Sequence, residues 1–254
     1  MVRDLRELPK LRDSISFLYF EHAVISQQDT SIVVINNDGK IPVPISSITC
    51  MLLGPGTSIT HAAVKTIVEN GCQLVWCGEK ASRFYAYGLG KTRSSANLML
   101  QAKLFADSVS HMAVVRRMYA IRFPKVSTEG LSLDQIRGME GVRVRQTYQI
   151  EAKRCGVNWT TRKYRQIDWD ESDDINRALS LANTVLYGVC HAAIVALGFS
   201  PGLGFIHTGK MLSFVYDVAD MYKTTITIPA AFEAVKDQNG NLDYLVRLYT
   251  RRRI

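Results

Sequence analysis

Residues 88–123 read GLGKTRSSANLMLQAKLFADSVSHMAVVRRMYAIRF, and the hydrophobic period changes within them. After the Gly88-Leu89-Gly90-Lys91 turn, Leu98, Leu104, Val109 and Met112 fall near one helix face, and Pro124 stops the run. The pattern predicts two helices, or one broken helix. Upstream the texture differs. Short β-branched and aromatic runs recur between turn signals: SISFLYF, AVIS, SIVVIN, KIPVPIS, CQLVWC and RFYAYG. Asn37-Asp38-Gly39 between two of them is a hairpin signal. One helix interrupts the strands. Thr57, Ser58 and Thr60 are its N-cap candidates ahead of HAAVKTIVEN, and Gly71 is its C′ candidate.

Downstream the helices continue. SLDQIRGMEGVRVRQTYQIEAKRCG has a Ser132/Asp134 start and a Gly156 stop, and DDINRALSLANTVLYGVCHAAIVALG is the most apolar segment. The expected fold class is therefore α+β. Residues 1–90 form a β-sandwich-like N-terminal domain with one helix. Residues 91–254 form an all-α domain carrying the chemistry.

At 254 residues and 47% hydrophobic composition the chain can build sizeable cores. No window reads as a bilayer span, and the charged MVRDLRELPKLRDS lacks a signal-peptide core. The five cysteines are scattered without CxxC spacing, which argues against zinc and against a disulfide framework. The expected location is the cytoplasm. Net charge is +8. Arginines cluster at Arg116–Arg117–Arg122, Arg137–Arg143–Arg145, Arg162–Lys163–Arg165 and Arg251–Arg252–Arg253, with Tyr119, Tyr148, Tyr164 and Tyr249 close by. Such a mixture suits a surface that grips phosphates and stacks bases.

The densest chemistry lies in HTGKMLSFVYDVADMYK, residues 207–223. Asp217, Asp220 and Lys223 are spaced i, i+3, i+6 and share a helix stripe, able to face a metal or a phosphate. His207 precedes them after a Gly/Pro-rich turn. The remote acidic candidate is Glu140 in RGMEG, between Gly138 and Gly141. Each glycine costs roughly 1 kcal/mol in a helix interior, which suggests close approach to the backbone there. Two carboxylates and an imidazole form an O/N donor set suited to Mg2+ or Mn2+. Each residue also has an ordinary structural role open to it: the aspartates as partners of Lys223, Glu140 as a partner of Arg137 or Arg143, His207 as a turn residue.

These segments resemble the CRISPR adaptation integrases, the first CRISPR-associated (Cas-one) family, and most of all its type I-E branch. The resemblance runs over nearly the whole chain. It is densest in LGPGTSITHAAVK (53–65), QIRGMEGVRVR (135–145), GVNWTTRKY (156–164), LYGVCHAAI (186–194) and GFIHTGKMLSFVYDVAD (204–220). It implies a metal-dependent DNA endonuclease and integrase of spacer acquisition, joining the 3′-hydroxyl ends of captured DNA to the CRISPR repeat by transesterification. It implies a metal site of Glu140, His207 and Asp220, with Asp217 beside it as a further catalytic residue. Arg83, Lys223 and Arg247 would hold backbone phosphates. Arg137, Tyr164, Tyr187, Lys210 and Tyr216 would line a pocket for a single-stranded 3′ end. The implied partners are DNA with 3′ single-stranded ends, CRISPR repeat DNA, a second copy through the β-rich domain, and a small ferredoxin-like companion (Cas-two) bridging two dimers. Relatives place a wedge tyrosine where this chain has His22, and carry a further tail beyond the position of Ile254. Two other functions remain compatible with the residues: a non-catalytic DNA-binding scaffold, and a stand-alone nuclease of branched DNA.

Overall fold

The computed structural model describes residues 17–29, 31–79, 84–88, 94–124, 126–162, 173–237 and 240–254. It forms two compact units, residues 1–100 with 188–200 and residues 101–187 with 201–254.

In the first unit the alternating apolar runs become two four-stranded sheets. β1 (Phe17–Phe20), β5 (Cys50–Leu53) and β7 (Gln73–Cys77) are parallel, and β8 (Phe84–Tyr87) closes the order β1-β5-β7-β8 antiparallel. The second sheet, β4-β3-β2-β6, comprises β2 (Val24–Gln28), β3 (Ser31–Asn36), β4 (Gly39–Val43) and β6 (Ser58–Ile59). The expected hairpin joins β3 to β4, with Asn36 paired to Gly39. The Asn36 side chain accepts from the Asp38 N–H at 2.9 Å and fixes the turn. Ile25, Ile32, Val34 and Val43 of one sheet and Met51, Leu53 and Leu74 of the other share one core. The helix α1 (His61–Glu69) adds Ala63 and Ile67 to it. Thr60 is the N-cap of α1, accepting from Ala63 N–H at 3.2 Å, whereas Ser58 lies in β6.

The helical run beginning at residue 96 is broken. α2 (Ala96–Ala106) ends where Asp107 caps α3 (Ser108–Arg122), accepting from Ser110 N–H at 2.8 Å. α4 (Leu133–Cys155) carries a full capping box from Ser132 and Gln135 and stops at Gly156, which has φ +69°. α5 (Asp174–Ala196), α6 (Ser213–Lys223), α7 (Thr227–Lys236) and α8 (Leu242–Arg251) follow. The architecture is α+β, with mixed sheets first and mostly helices after.

One expectation is corrected by α5. By length and composition alone this helix could cross a membrane, contrary to the reading that no window could. Its most apolar window is 67% buried inside the protein, so its apolarity serves a core.

Candidate active site

The second unit builds its site on a turn folded over α6. Gly204 permits it: an added Cβ would stand 2.3 Å from the His207 carbonyl oxygen and 2.7 Å from the Ser213 carbonyl carbon. The three residues that follow converge on Asp217, which is fully buried. Its Oδ2 accepts the N–H groups of Phe205 at 2.5 Å and Ile206 at 2.9 Å. Its Oδ1 accepts the N–H of His207 at 2.8 Å and faces His207 Nδ1, also at 2.8 Å. Four contacts fill both oxygens. Asp217 thus holds the loop closed and fixes the His207 ring, with Nδ1 turned to the aspartate and Nε2 turned away from it.

His207 Nε2 stands 3.9 Å from Asp220 Oδ2. The other Asp220 oxygen pairs with Lys223 Nζ at 2.6 Å. The Lys223 ammonium lies 4.9 Å above the Tyr187 ring. Burial works against its charge, but Tyr187 and Asp220 outweigh burial and raise the lysine pKa. Tyr216 packs edge-on against Tyr187 at 5.1 Å and against His207 at 6.0 Å between ring centroids. The i, i+3 stripe is therefore real, although its members differ: Asp217 faces the core, and Asp220 and Lys223 face the site.

Glu140 lies on α4 and is held from α3. Tyr119 Oη donates to its Oε2 and Arg122 Nη1 to its Oε1. Burial, and then the hydrogen bond to Glu140, raise the Tyr119 pKa, so the phenol stays a donor. Arg137, one turn before Glu140, donates to the Ile206 carbonyl and ties α4 to the loop around Asp217. Ile136, Tyr119, Phe205 and Ile206 share a core beneath these contacts. The close approach expected at the α4 glycines is absent among the described residues. A Cβ at Gly138 would meet nothing within 4 Å, and one at Gly141 only Arg145 Nη1 at 3.5 Å.

The remaining candidates are spread out. Lys210 is exposed at the entry to α6, its N–H donating to Ser213 Oγ at 3.1 Å. Arg247 is half-buried on α8. His22 is exposed in the first unit at φ +49°, with its ring against Gly56, where a Cβ would stand 2.4 Å from Nδ1. Arg83 and Tyr164 lie outside the described residues. Several residues of the basic and aromatic clusters have structural work instead. Arg162 binds Asn176 and Ser180 of α5, Arg253 binds Glu233, Tyr249 donates to Asp237, and Tyr119 is buried against Glu140. Charge clustering in sequence could not separate such residues from exposed ones. The pairing of Tyr119 and Arg122 with Glu140 was also missed; their i, i+3 spacing was the available signal.

The donor chemistry suits a hard divalent ion. Two ligands on one ion at about 2.0–2.3 Å lie between about 3 Å and just over 4 Å apart, and the His207–Asp220 separation falls in that span. Glu140 is the exception, since both its oxygens already have donors. Among the described residues no three His, Cys, Asp or Glu side chains are grouped as a metal-binding set.

This α+β chain, with its carboxylate–imidazole cluster on the helical unit, is matched over most of its length by one family model. The chain belongs to the CRISPR associated protein Cas1 family, whose model matches residues 17–128 and 123–244. It is 50% identical over 245 residues to "CRISPR-associated endonuclease Cas1 2" of Thermus thermophilus, covering 96% of this chain and 75% of that one. It is 42% identical over 242 residues to "CRISPR-associated endonuclease Cas1" of Escherichia coli, covering 95% and 79%. Among solved structures, the crystal structure of a TtCas1-DNA complex superposes with a TM-score of 0.84 at 48% identity, over 93% of this chain and 85% of that one. A casposase bound to its integration product shares the fold, with a TM-score of 0.70 at 13% identity, over 93% and 82%.

Proposed function

We propose that this chain is the DNA endonuclease and integrase of CRISPR adaptation, working at His207, Asp220 and Glu140 with Asp217 as their support. The observation that carries the reading is the His207 ring, fixed by a saturated buried aspartate so that its free nitrogen faces a second carboxylate. Kinship to proteins named CRISPR-associated endonucleases supports it, as does a fold shared with a DNA-bound relative.

His207, Asp220 and Glu140 are the residues that would hold Mg2+ or Mn2+, which when bound offsets phosphate charge and lowers the pKa of an attacking hydroxyl. The rest of the work falls to the protein's own groups. Lys223 keeps its ammonium beside Asp220 and offsets the acidity that a DNA phosphate would meet. Tyr187 and Tyr216 offer aromatic faces next to it for unpaired bases at a 3′ end, and the exposed Lys210 and Arg137 add positive charge toward the same strand. The reaction is then transesterification: a DNA 3′-hydroxyl attacks a phosphodiester at the repeat border, forming one P–O bond and releasing the original 3′-oxygen. With water as nucleophile the same site cleaves branched DNA.

Two strands must be attacked a repeat's length apart, and one chain has one site. Association supplies the second: a homodimer, with a small ferredoxin-like companion bridging two such dimers. The test is joining of a DNA with 3′-hydroxyl ends to a repeat-bearing plasmid, with Mg2+ or Mn2+ and the companion present. Branched products support the reading. Cleavage without joining indicates a stand-alone nuclease, and DNA binding with neither indicates a scaffold.

A further inference from the structure

We infer that Tyr119 and Arg122 act as a built-in competitor for the divalent cation, holding Glu140 in the metal-free protein and setting how tightly the ion is taken up. The inference rests on the metal reading above and goes beyond it.

Both oxygens of Glu140 are engaged, one by Tyr119 and one by Arg122. The two donors sit i, i+3 on α3, so one helix face presents both. Neither is free to follow the carboxylate. Tyr119 is 2% exposed within the core containing Ile136 and Ile206, and the Arg122 side chain is 5% exposed. Moving Glu140 onto an ion therefore strands a nearly buried guanidinium, whose charge then has lost its counter-ion. Asp220 stands in the same relation to Lys223. Each carboxylate has its own cation, and each cation, Arg122 on α3 and Lys223 on α6, occupies the last turn of its helix, where the dipole favours positive charge. A site neutralised from within needs no metal in order to be stable. Such a site would take the ion up weakly in the DNA-free protein.

The test is Mn2+ binding to the purified, DNA-free chain, read from the free-ion electron paramagnetic resonance signal. Arg122→Gln is expected to bind Mn2+ about tenfold tighter than wild type, the equivalent of one charge-assisted hydrogen bond removed from competition. Tyr119→Phe, which loses one hydroxyl and is the milder change for folding, moves affinity the same way by a smaller factor. The double variant E140Q/R122Q loses the gain, because the gain runs through Glu140. In thermal unfolding, Mn2+ raises the Tm of R122Q by more than it raises that of wild type. Equal or weaker Mn2+ binding by both R122Q and Y119F overturns the inference and makes the pair positioning residues instead. Wild-type Mn2+ binding that ignores His207→Ala and Asp220→Asn marks the different failure, that of the metal reading itself.

Discussion

His207 Nδ1 and Asp217 Oδ1 lie 2.8 Å apart, and the same oxygen receives the His207 backbone N–H at 2.8 Å. One carboxylate therefore sets both the path of the loop and the orientation of the imidazole. Asp217→Asn replaces an acceptor oxygen with an amide that faces N–H donors. It is expected to cost about 2–4 kcal/mol of stability, as loss of buried charge-assisted hydrogen bonds does, and to abolish DNA cleavage as well. Among the described residues Asp220 accepts no backbone N–H groups; Asp220→Asn disturbs its contacts to Lys223 and His207 alone, so it costs less stability while still abolishing cleavage. Urea denaturation of the two variants side by side checks the difference; equal stability losses would remove the distinct role of Asp217.

Much of this was legible in the sequence, for local reasons. The capping box at Ser132, the stop at Gly156 and the Asn37-Asp38 turn depend on neighbours within a few residues, so their chemistry is written in place. The stripe of Asp217, Asp220 and Lys223 follows from helix period. What each member does was not legible, because that depends on the loop closing over α6, and the loop depends on the lack of a side chain at Gly204. The hold of Tyr119 and Arg122 on Glu140 joins α3 to α4 across about twenty residues, and the i, i+3 spacing of the two donors does not say which carboxylate they meet.

Gly138 gives a second prediction. It sits in α4, and beyond its own neighbouring helix backbone no described atom lies within 4 Å of an added Cβ. Gly138→Ala should raise stability by about 0.5–1 kcal/mol through helix propensity. Among the described residues nothing packs on the glycine, and DNA affinity should fall if a Cβ there is put in the way of the DNA backbone. Denaturation and a filter-binding titration of one variant check both; unchanged DNA affinity would leave the glycine without a role in DNA binding.

His191 of α5 predicts an acid sensitivity of the first unit. It is 3% exposed, neither ring nitrogen has a hydrogen-bond partner among the described residues, and Tyr87 meets its ring edge-on at 4.2 Å between centroids. Burial pushes its pKa down from 6.5 to about 4. The unfolded chain thus binds the proton more readily than the folded one. The stability is fully present above pH 6.5 and is lost as pH falls toward about 4, by on the order of 3 kcal/mol. The urea midpoint should fall across that window in wild type and fall less in His191→Leu. Parallel curves would show that the imidazole charges without cost.

The net charge of +8 predicts that DNA affinity is strongly salt-dependent. A plot of log affinity against log salt should have a slope of about −4 or steeper, corresponding to roughly five or more neutralised phosphates. The slope should be the same in Asp220→Asn. A shallow slope would show that the basic residues are engaged with the protein's own carboxylates, as Arg253 is with Glu233.

The most direct test of the central claim is cleavage of a branched DNA by the purified chain in Mn2+, with affinity for the same DNA measured on the same samples. Glu140→Gln, His207→Ala and Asp220→Asn are each expected to lower the cleavage rate by about a thousandfold or more, about 4 kcal/mol of lost transition-state stabilisation, with DNA affinity within about threefold of wild type. Cleavage at the wild-type rate by Asp220→Asn or His207→Ala, with DNA still bound, would place the chemistry elsewhere and contradict the account.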